Sequence, residues 1–221
     1  MKYGVLGTGD VGRTLAGKLV ELGHEVVMGS RTKANEKALA WVAEAGPRAG
    51  AGTFEDAAAF GEVVVNGVSG QAALAALQAA GAENLAGKLL IDVCNPLSFE
   101  EGRLRLSPVE SDSVGARIQR TFPEARVVKA LNTVNCRVMV APGRVPGEHQ
   151  LFLCGDDNEA KARTVALLGD FGWPADRVFD LGGIEAARCT EMLMPLWFTL
   201  MQKFGHADFN YEIRRGSGSP S

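Results

Sequence analysis

A glycine-rich motif near the start of the chain stands between a short apolar run and an amphipathic helical pattern. The motif is G-x-G-x-x-G, and it consists of Gly7, Thr8, Gly9, Asp10, Val11 and Gly12. Residues 3–6 predict a strand before it, and residues 11–22 predict a helix after it. In such a unit the first glycine makes a tight turn, the second lets a pyrophosphate approach the backbone, and the third lets helix and strand pack closely. The sequence therefore predicts a dinucleotide site at the N-terminus of the first helix, where Asp10 is expected to cap the helix; the alternative is an ordinary tight turn.

Short apolar runs alternate with helical patterns along the rest of the chain. Further strands are predicted at residues 24–28, 50–53, 62–66, 88–93, 126–130, 150–154 and 177–181. Helices are predicted at residues 34–45, 70–80, 112–121 and 158–171, with a short one that opens at Phe54. This alternation is typical of βαβ units. It predicts an α/β fold, a Rossmann-type doubly wound and mostly parallel sheet with a small C-terminal helical part.

The end of the chain differs from the rest in composition. We expect a Rossmann-type domain over residues 1–181, a C-terminal helical segment over residues 182–215 and a flexible tail over residues 216–221, which read GSGSPS. A helical pattern at about residues 184–204 is apolar nearly all round its later half, and Pro195 is expected to kink or divide it. Its methionines and aromatic residues fit an acceptor pocket, a dimer contact or ordinary core.

Composition excludes several classes of protein. The net charge of −3 offers no basic surface for nucleic acid, and the apolar run at residues 192–201 is too short to span a membrane. The chain enters a strand at once, so no secretory signal is expected. Its four cysteines include no C-x-x-C pair, which argues against a disulfide framework or a bound metal and favours a cytoplasmic location. Cys94 and Cys136 could flank one cleft, although buried free cysteines are usually inert.

The end of the second predicted strand indicates which dinucleotide is bound. Ser30, Arg31 and Thr32 lie there, and Ser30 follows Gly12 by 18 residues. An NAD-binding chain would carry an acidic residue at this place for the ribose hydroxyls. Two hydroxyls and a guanidinium suit the 2′-phosphate of NADP instead, so we predict NADP(H) as the cofactor. The alternative is a polar loop with Arg31 in solvent.

Four segments of the sequence resemble one enzyme family. They are GTGDVGRTLAGKLVELGHEVVMGSRT at residues 7–32, VVKALNTVNCRVM at residues 127–139, LFLCGDDNEAKARTV at residues 151–165 and TEMLMPLWFTLMQKFG at residues 190–205. They resemble the NADPH-dependent reductases of the deazaflavin coenzyme F420. They are also similar to the cytosolic NADPH-oxidising domain of the six-transmembrane metalloreductases. The resemblance implies hydride transfer between NADP(H) and a small-molecule redox acceptor, F420 or a flavin such as FMN or FAD, in a homodimer.

The resemblance also implies roles for individual residues. Thr8, Gly9, Asp10 and Val11 would contact the pyrophosphate, and Ser30, Arg31 and Thr32 the 2′-phosphate. Gly67, Val68 and Ser69 would lie beside the ribose that carries the nicotinamide. Asn95 and Pro96, with Ala130, Leu131, Asn132 and Thr133, would lie beside the nicotinamide and the acceptor. The chain lacks the isoleucine–proline pair that the deazaflavin reductases carry near Val68, which leaves the acceptor open.

Asn132 and Thr133 are the candidate catalytic residues. An amide at a strand end can hold a carboxamide or a ring carbonyl; the alternative is that Asn132 only satisfies the loop backbone. Hydride transfer between stacked rings needs no catalytic base. An NADP-dependent reductase of a small carbonyl or imine would need a proton donor, for which Lys129, Lys161 and Lys203 are poor candidates. A third hypothesis, a non-enzymatic NADP-binding redox sensor, predicts binding without turnover.

Overall fold

The strands and helices follow the predicted alternation, and the computed structural model describes them over residues 1–100, 103–106 and 111–216. The strands are β1 (Lys2–Leu6), β2 (Glu25–Ser30), β3 (Ala49–Thr53), β4 (Val63–Asn66), β5 (Leu89–Asp92), β6 (Leu97–Glu100), β7 (Arg103–Leu106), β8 (Arg126–Ala130), β9 (Leu151–Gly155) and β10 (Val178–Asp180). The helices are α1 (Asp10–Glu21), α2 (Glu36–Ala45), α3 (Phe54–Phe60), α4 (Gly70–Ala80), α5 (Ala82–Leu85), α6 (Val114–Thr121), α7 (Cys136–Met139), α8 (Asn158–Asp170), α9 (Ala187–Glu191) and α10 (Met194–Phe204).

The main sheet has eight strands in the order β3-β2-β1-β4-β5-β8-β9-β10. Neighbouring strands from β3 to β8 are parallel, whereas β9 runs antiparallel to β8 and parallel to β10. This confirms the predicted α/β fold with a mostly parallel sheet. Because β1 pairs with both β2 and β4, the strand order reverses at β1. Open sheets of this kind bind ligands at the carboxyl ends of the strands beside such a reversal.

Helices cover both faces of the sheet. Helices α1, α2, α7 and α8 pack on one face and α3, α4, α6 and α9 on the other. Strand β4 reads VVVN and all four of its residues are buried, as expected for a parallel strand covered on both sides. Helix α4 buries glycine, alanine and leucine at helical spacing, so it lies close against the strands.

The C-terminal segment contains three short helical pieces. A 3₁₀ turn (Ile184–Ala186) leads into α9, and α10 begins anew with Pro195 in its first turn. Proline suits that position because its missing N–H would have no partner there. The expected division of this helix is confirmed. Beyond it, the backbone N–H of Gln150 donates to the Tyr211 carbonyl at 3.0 Å, which connects residues after α10 to the residue before β9. Of the predicted tail, residues 217–221 lie outside the described residues.

Several features differ from the sequence prediction, among them short helices α5 and α7 where none was predicted. The antiparallel pair of β6 and β7 falls where no strand was predicted. Helix α6 begins at Val114 rather than residue 112, because the Ser113 hydroxyl accepts the Ala116 N–H at 3.0 Å and caps the helix. Asp112 instead binds two arginines of α6. Over residues 1–100, 103–106 and 111–216, no helix is long and apolar enough to cross a membrane.

Candidate functional site at the carboxyl ends of the strands

The glycine motif forms the turn between β1 and α1, and each glycine has different surroundings. Gly7 has a φ of +113°, which disfavours other residues, and a Cβ there would lie 2.9 Å from the Gly67 backbone. A Cβ on Gly12 would overlap the carbonyl oxygen of Gly7, so this glycine lets helix and strand approach. A Cβ on Gly9 would meet no described atom within 4 Å. Gly9 thus borders open space, as a pyrophosphate cradle requires.

The N-terminus of α1 opens onto this space. Gly9 is the residue before the helix, and no side chain of the described chain caps it, so the first N–H groups of α1 are free for an anion. Thr8 and Val11 are half-buried on either side of Gly9. The expected capping role of Asp10 is wrong, because Asp10 is already the first helical residue. Its carboxylate is exposed and lies 2.6 Å from the Arg13 guanidinium.

The turn after β2 presents a guanidinium and a hydroxyl to solvent. Ser30 is buried, and its hydroxyl donates to the Thr32 carbonyl at 2.6 Å, while the Arg31 and Thr32 side chains are exposed. Lys33 pairs with Asp56 at 3.2 Å. Hydrogen bonds from Thr53 and the pairing with Lys33 hold the pKa of Asp56 below its usual range. The acid near this turn is therefore already neutralised by a cation.

The loop after β4 lies against the glycine motif. A Cβ on Gly67 would come within 3.3 Å of the Gly12 Cα, so both loops are in close contact. Val68 is half-buried, and Ser69 precedes α4 with an exposed side chain that makes no capping hydrogen bond. The N-termini of α1 and α4 consequently face the same edge of the sheet.

The loops after β5 and β8 are joined by a reciprocal pair of asparagines. The Asn95 amide donates to the Asn132 carbonyl at 2.8 Å, and the Asn132 amide donates to the side-chain oxygen of Asn95 at 3.0 Å. The Asn95 carbonyl in turn accepts the Gly70 N–H of α4 at 3.1 Å. Pro96 and Ala130 are buried beside this pair. The structure thereby brings together residues that the sequence separates by 37 positions.

This part of the cleft carries strain and unused polar atoms. Leu131 is buried with a φ of +64°, a conformation that branched side chains rarely adopt outside functional sites. The side-chain oxygens of Asn66, Asn132 and Thr133 are buried, and none has a hydrogen-bond partner in the described part of the chain. Since buried polar groups are nearly always paired, these oxygens mark a place where a ligand can bind.

Sequence reasoning missed a buried group of charges beneath the cleft. Lys129 was considered only as a poor proton donor, yet its ammonium lies 2.9 Å from Asp92 and 2.8 Å from Glu191. A lysine inside a buried strand was a signal that a carboxylate must lie nearby, and Asp92 lies near the end of the strand predicted at residues 88–93. Nothing in the sequence pointed to Glu191, which lies on α9.

The two cysteines expected near the cleft lie on different faces of the sheet. Cys94 belongs to the hydrophobic cluster of α4 and α6, and Cys136 packs against that of α1 and α7. Burial raises the pKa of the Cys94 thiol well above its usual range, so it stays protonated. Cys136 instead lines a groove of about 940 Å³ along α1, which Asp10 and Arg13 also line.

Comparison with known proteins identifies relatives that align with most of the chain. Residues 2–96 match the family described as NADP oxidoreductase, coenzyme F420-dependent. The F420-dependent NADP reductase of Methanothermobacter marburgensis is 30% identical over 212 residues, which cover 90% of this chain and 92% of the relative. The metalloreductase STEAP3 of Rattus norvegicus is 34% identical over 203 residues, but the chain spans only 38% of its length.

Solved structures agree with the fold. A candidate F420-dependent NADP-reductase from Arthrobacter sp. FB24 is 50% identical, with a TM-score of 0.91 over 97% of this chain and all of that one (100%). An imine reductase from Streptomyces aurantiacus has a TM-score of 0.65 at 19% identity over 92% of this chain and 64% of its own. At that level of identity the second likeness concerns the fold alone.

Proposed function

Since the chain belongs to the family of F420-dependent NADP reductases, we propose that it transfers a hydride between NADP(H) and the deazaflavin coenzyme F420. The chain is an NADP-dependent oxidoreductase with a Rossmann-type fold. The observation that carries the proposal is the turn after β2. It offers the Arg31 guanidinium and the Thr32 hydroxyl, and it lacks the acidic residue that an NAD site uses.

In this proposal the adenosine half of the cofactor is held by backbone and cations. The free N–H groups at the start of α1 bind the pyrophosphate beside Gly9. Arg31 and Thr32 bind the 2′-phosphate, with Ser30 fixing the turn through its bond to the Thr32 carbonyl. Charged hydrogen bonds of this kind contribute about 1.5–3 kcal/mol each, enough to favour NADP(H) over NAD(H) by tenfold or more.

In this proposal the asparagine pair and the loop that follows it bind the nicotinamide half of the cofactor. NADPH, when bound, supplies the hydride and the acceptor receives it. Asn132 offers a buried oxygen without a partner in the described chain, which suits the N–H of a carboxamide, and the Thr133 hydroxyl is likewise unengaged. Asn95 fixes the Asn132 side chain, so the amide is oriented before the cofactor arrives.

A flavin is the second candidate acceptor. It is supported by the 34% identity to a metalloreductase and by the missing isoleucine–proline pair near Val68. Reduction of a carbonyl or imine has less support, because Lys161 is engaged with Asp180 at 2.8 Å and Lys203 lies on the exposed side of α10.

The test is oxidation of NADPH under anaerobic conditions with oxidised F420, followed by absorbance, with NADH as the matched donor. We expect turnover with NADPH that largely disappears with NADH. Turnover with FMN or FAD but not F420 would favour the second acceptor. Protein that binds NADPH and reduces none of the three would contradict the proposal and favour a redox sensor.

We extend the proposal to a homodimer in the cytoplasm. Helix α10 and the turn before it expose Met192, Leu196 and Phe204, whose side chains are each 48–49% accessible. A second copy of the chain would cover these apolar side chains. The four free cysteines suit a reducing compartment. Light scattering should give twice the chain mass, and Leu196→Glu should give the single mass. A wild-type monomer at micromolar concentration would contradict the dimer.

A further inference from the structure

Three buried charged residues form a cluster beneath the nicotinamide half of the cleft. Lys129 and Asp92 are fully buried (0% exposed) and Glu191 is 2% exposed. Lys129 lies on β8, Asp92 ends the adjacent strand β5, and the two are register partners in the sheet. Glu191 comes from the last turn of α9, in the C-terminal segment. We call these residues the charge cluster.

The ammonium of Lys129 is fully engaged. It donates to Asp92 Oδ2 at 2.9 Å, to the Cys94 carbonyl at 2.6 Å, and it lies 2.8 Å from Glu191 Oε1. An ammonium has three N–H donors, and three acceptors surround it. Burial lowers the pKa of Lys129, but the carboxylates of Asp92 and Glu191 outweigh this effect and raise it, so the ammonium keeps its charge. Lys129 is therefore a fixed anchor with no donor left for a substrate.

The second carboxylate of the cluster is balanced by a helix. Glu191 Oε2 accepts the Val114 N–H at 2.9 Å, and Oε1 accepts the Gly115 N–H at 3.1 Å, both in the first turn of α6. The positive end of the helix dipole favours a negative charge at this place. A Cβ on Gly115 would lie 2.9 Å from the Ala187 Cβ, so α6 and α9 are in close contact here. Glu191 consequently joins the C-terminal segment to α6 and to Lys129.

The charge cluster holds the loop that carries Asn95. Asp92 Oδ1 accepts the Cys94 N–H at 3.3 Å, while Lys129 holds the Cys94 carbonyl, so both polar groups of this residue are fixed. The next residue is Asn95, whose side chain forms the reciprocal pair with Asn132. A displacement of the Lys129 ammonium would therefore move the asparagine pair.

The position of the cluster in the sheet relates it to one half of the cofactor. A dinucleotide lies across the strand reversal, with its adenosine half towards β2 in such sheets. The nicotinamide half then lies over β4, β5 and β8, above Asp92 and Lys129. On the basis of the proposed function, we propose that Lys129 is a positioning residue for hydride transfer, held by Asp92 and Glu191 and acting through Cys94 on the Asn95–Asn132 pair. The same contacts make the nicotinamide loops and the C-terminal segment move as one unit.

The experiment compares Glu191→Gln with a matched control, Asp157→Asn. Glutamine keeps the shape of Glu191 but has one acceptor oxygen for contacts that now use two. Asp157 caps α8 by accepting the Ala160 N–H at 2.8 Å. Because β9 is antiparallel to β8, Asp157 follows β9 at the amino ends of the parallel strands, away from the cleft at their carboxyl ends. Calorimetry would measure binding of NADPH and of 2′-phospho-adenosine diphosphate ribose, which lacks the nicotinamide. Stopped-flow single turnover with F420 would measure hydride transfer, identified by the isotope effect of NADPH deuterated at C4.

We expect Glu191→Gln to weaken NADPH binding and slow hydride transfer, each by about 10- to 100-fold, the scale of an ångström misplacement. Binding of the fragment should stay within twofold of the wild type. Asp157→Asn should lower the melting temperature and leave all three measurements unchanged. Glu191→Asp, which keeps the charge and shortens the side chain, should be intermediate, and it replaces the glutamine variant if that variant does not fold.

Two results would overturn the proposal. One is equal weakening of NADPH and fragment binding, which would mean a general loss of structure. The other is a lower melting temperature with unchanged hydride-transfer rate, which would mean a purely stabilising role. If the wild type reduces no acceptor, the proposed function fails, and the comparison of NADPH with its fragment still decides whether the charge cluster positions the nicotinamide.

Discussion

Replacing Gly9 with alanine tests whether the glycine loop is shaped for a pyrophosphate rather than for the fold. In the structure a Cβ at this position meets no described atom within 4 Å. The backbone angles, φ −75° and ψ −178°, are open to alanine. The variant should therefore fold like the wild type but bind NADPH more weakly, because the added methyl group fills the space through which the pyrophosphate reaches the backbone.

The magnitudes follow from the position of Gly9. Alanine restricts the unfolded chain, which stabilises by about 0.4–1 kcal/mol, but it is a poorer residue than glycine before a helix, which costs a similar amount. The free energy of unfolding should change by less than about 1 kcal/mol. In the bound state the methyl group occupies the space of the phosphate. Loss of one charged hydrogen bond, about 1.5–3 kcal/mol, weakens NADPH binding by about 10- to 100-fold.

The assay pairs thermal unfolding with a fluorescence titration of NADPH, and two other glycines serve as controls. Gly143→Ala also places a Cβ in open space, but in a separate turn, Pro142–Arg144, so neither measurement should change. Gly12→Ala would overlap the Gly7 carbonyl and should lower stability by about 1–3 kcal/mol. Unchanged NADPH affinity in Gly9→Ala, or a fall in its stability like that of Gly12→Ala, would refute the reasoning.

Three further predictions concern charged side chains. Arg31→Ala should weaken NADPH binding about 10- to 100-fold and leave NADH binding unchanged, by titration; equal losses would contradict the 2′-phosphate assignment. Burial raises the pKa of Asp112, but hydrogen bonds from two arginines and the Ser113 N–H outweigh it and lower the pKa from 3.8 to about 2. A carboxyl whose pKa is lower in the folded state stabilises the fold at pH values above its unfolded-state pKa, and this stabilisation is lost as the pH falls through the folded-state pKa. Asp112→Asn should therefore lower the free energy of unfolding by about 1–2 kcal/mol at pH 7 and by almost nothing near pH 2. Chemical unfolding measures both values, with Asp176→Asn as the exposed control. Lys161→Ala should leave F420 reduction unchanged, whereas a carbonyl or imine reductase that used this lysine as a proton donor would lose activity and keep NADPH binding.

The parts of the fold that were predictable depend on neighbours in sequence. The helix over residues 70–80 and the strand over residues 126–130 have the predicted bounds, because their periodicity reports burial directly. Strand β2 runs on to Ser30 because that residue pairs with Thr53 of β3, a contact between distant residues. The helix-capping role predicted for Asp10 was wrong because α1 begins at Asp10 itself, one residue before the predicted start, so that Gly9 is the residue that precedes the helix.

The two halves of the candidate site also differ in how far the sequence alone predicts them. The turn that offers Arg31 to the adenosine half is one short segment, and its residue types alone indicate a phosphate. The nicotinamide half combines the ends of β4, β5 and β8 with α9, and no single segment of the sequence contains its members Asn66, Asp92, Lys129 and Glu191. The sheet order and the packing of α9 against the sheet bring them within hydrogen-bond distance. The sequence therefore indicated the cofactor more directly than it indicated how the cofactor's reactive end is held.

This division makes a prediction about combined variants. Arg31 follows β2 and Glu191 contacts β8, on opposite sides of β1, and no hydrogen bond or ion pair in the described chain connects them. Distant sites without shared partners contribute additively to a free energy of binding, within about 0.5 kcal/mol. The double variant Arg31→Ala/Glu191→Gln should weaken NADPH binding by the product of the two single effects, while binding of the fragment without nicotinamide should show the Arg31 effect alone. A double variant no weaker than either single variant would mean that one cooperative closure of the cleft, rather than two separately built halves, holds the cofactor.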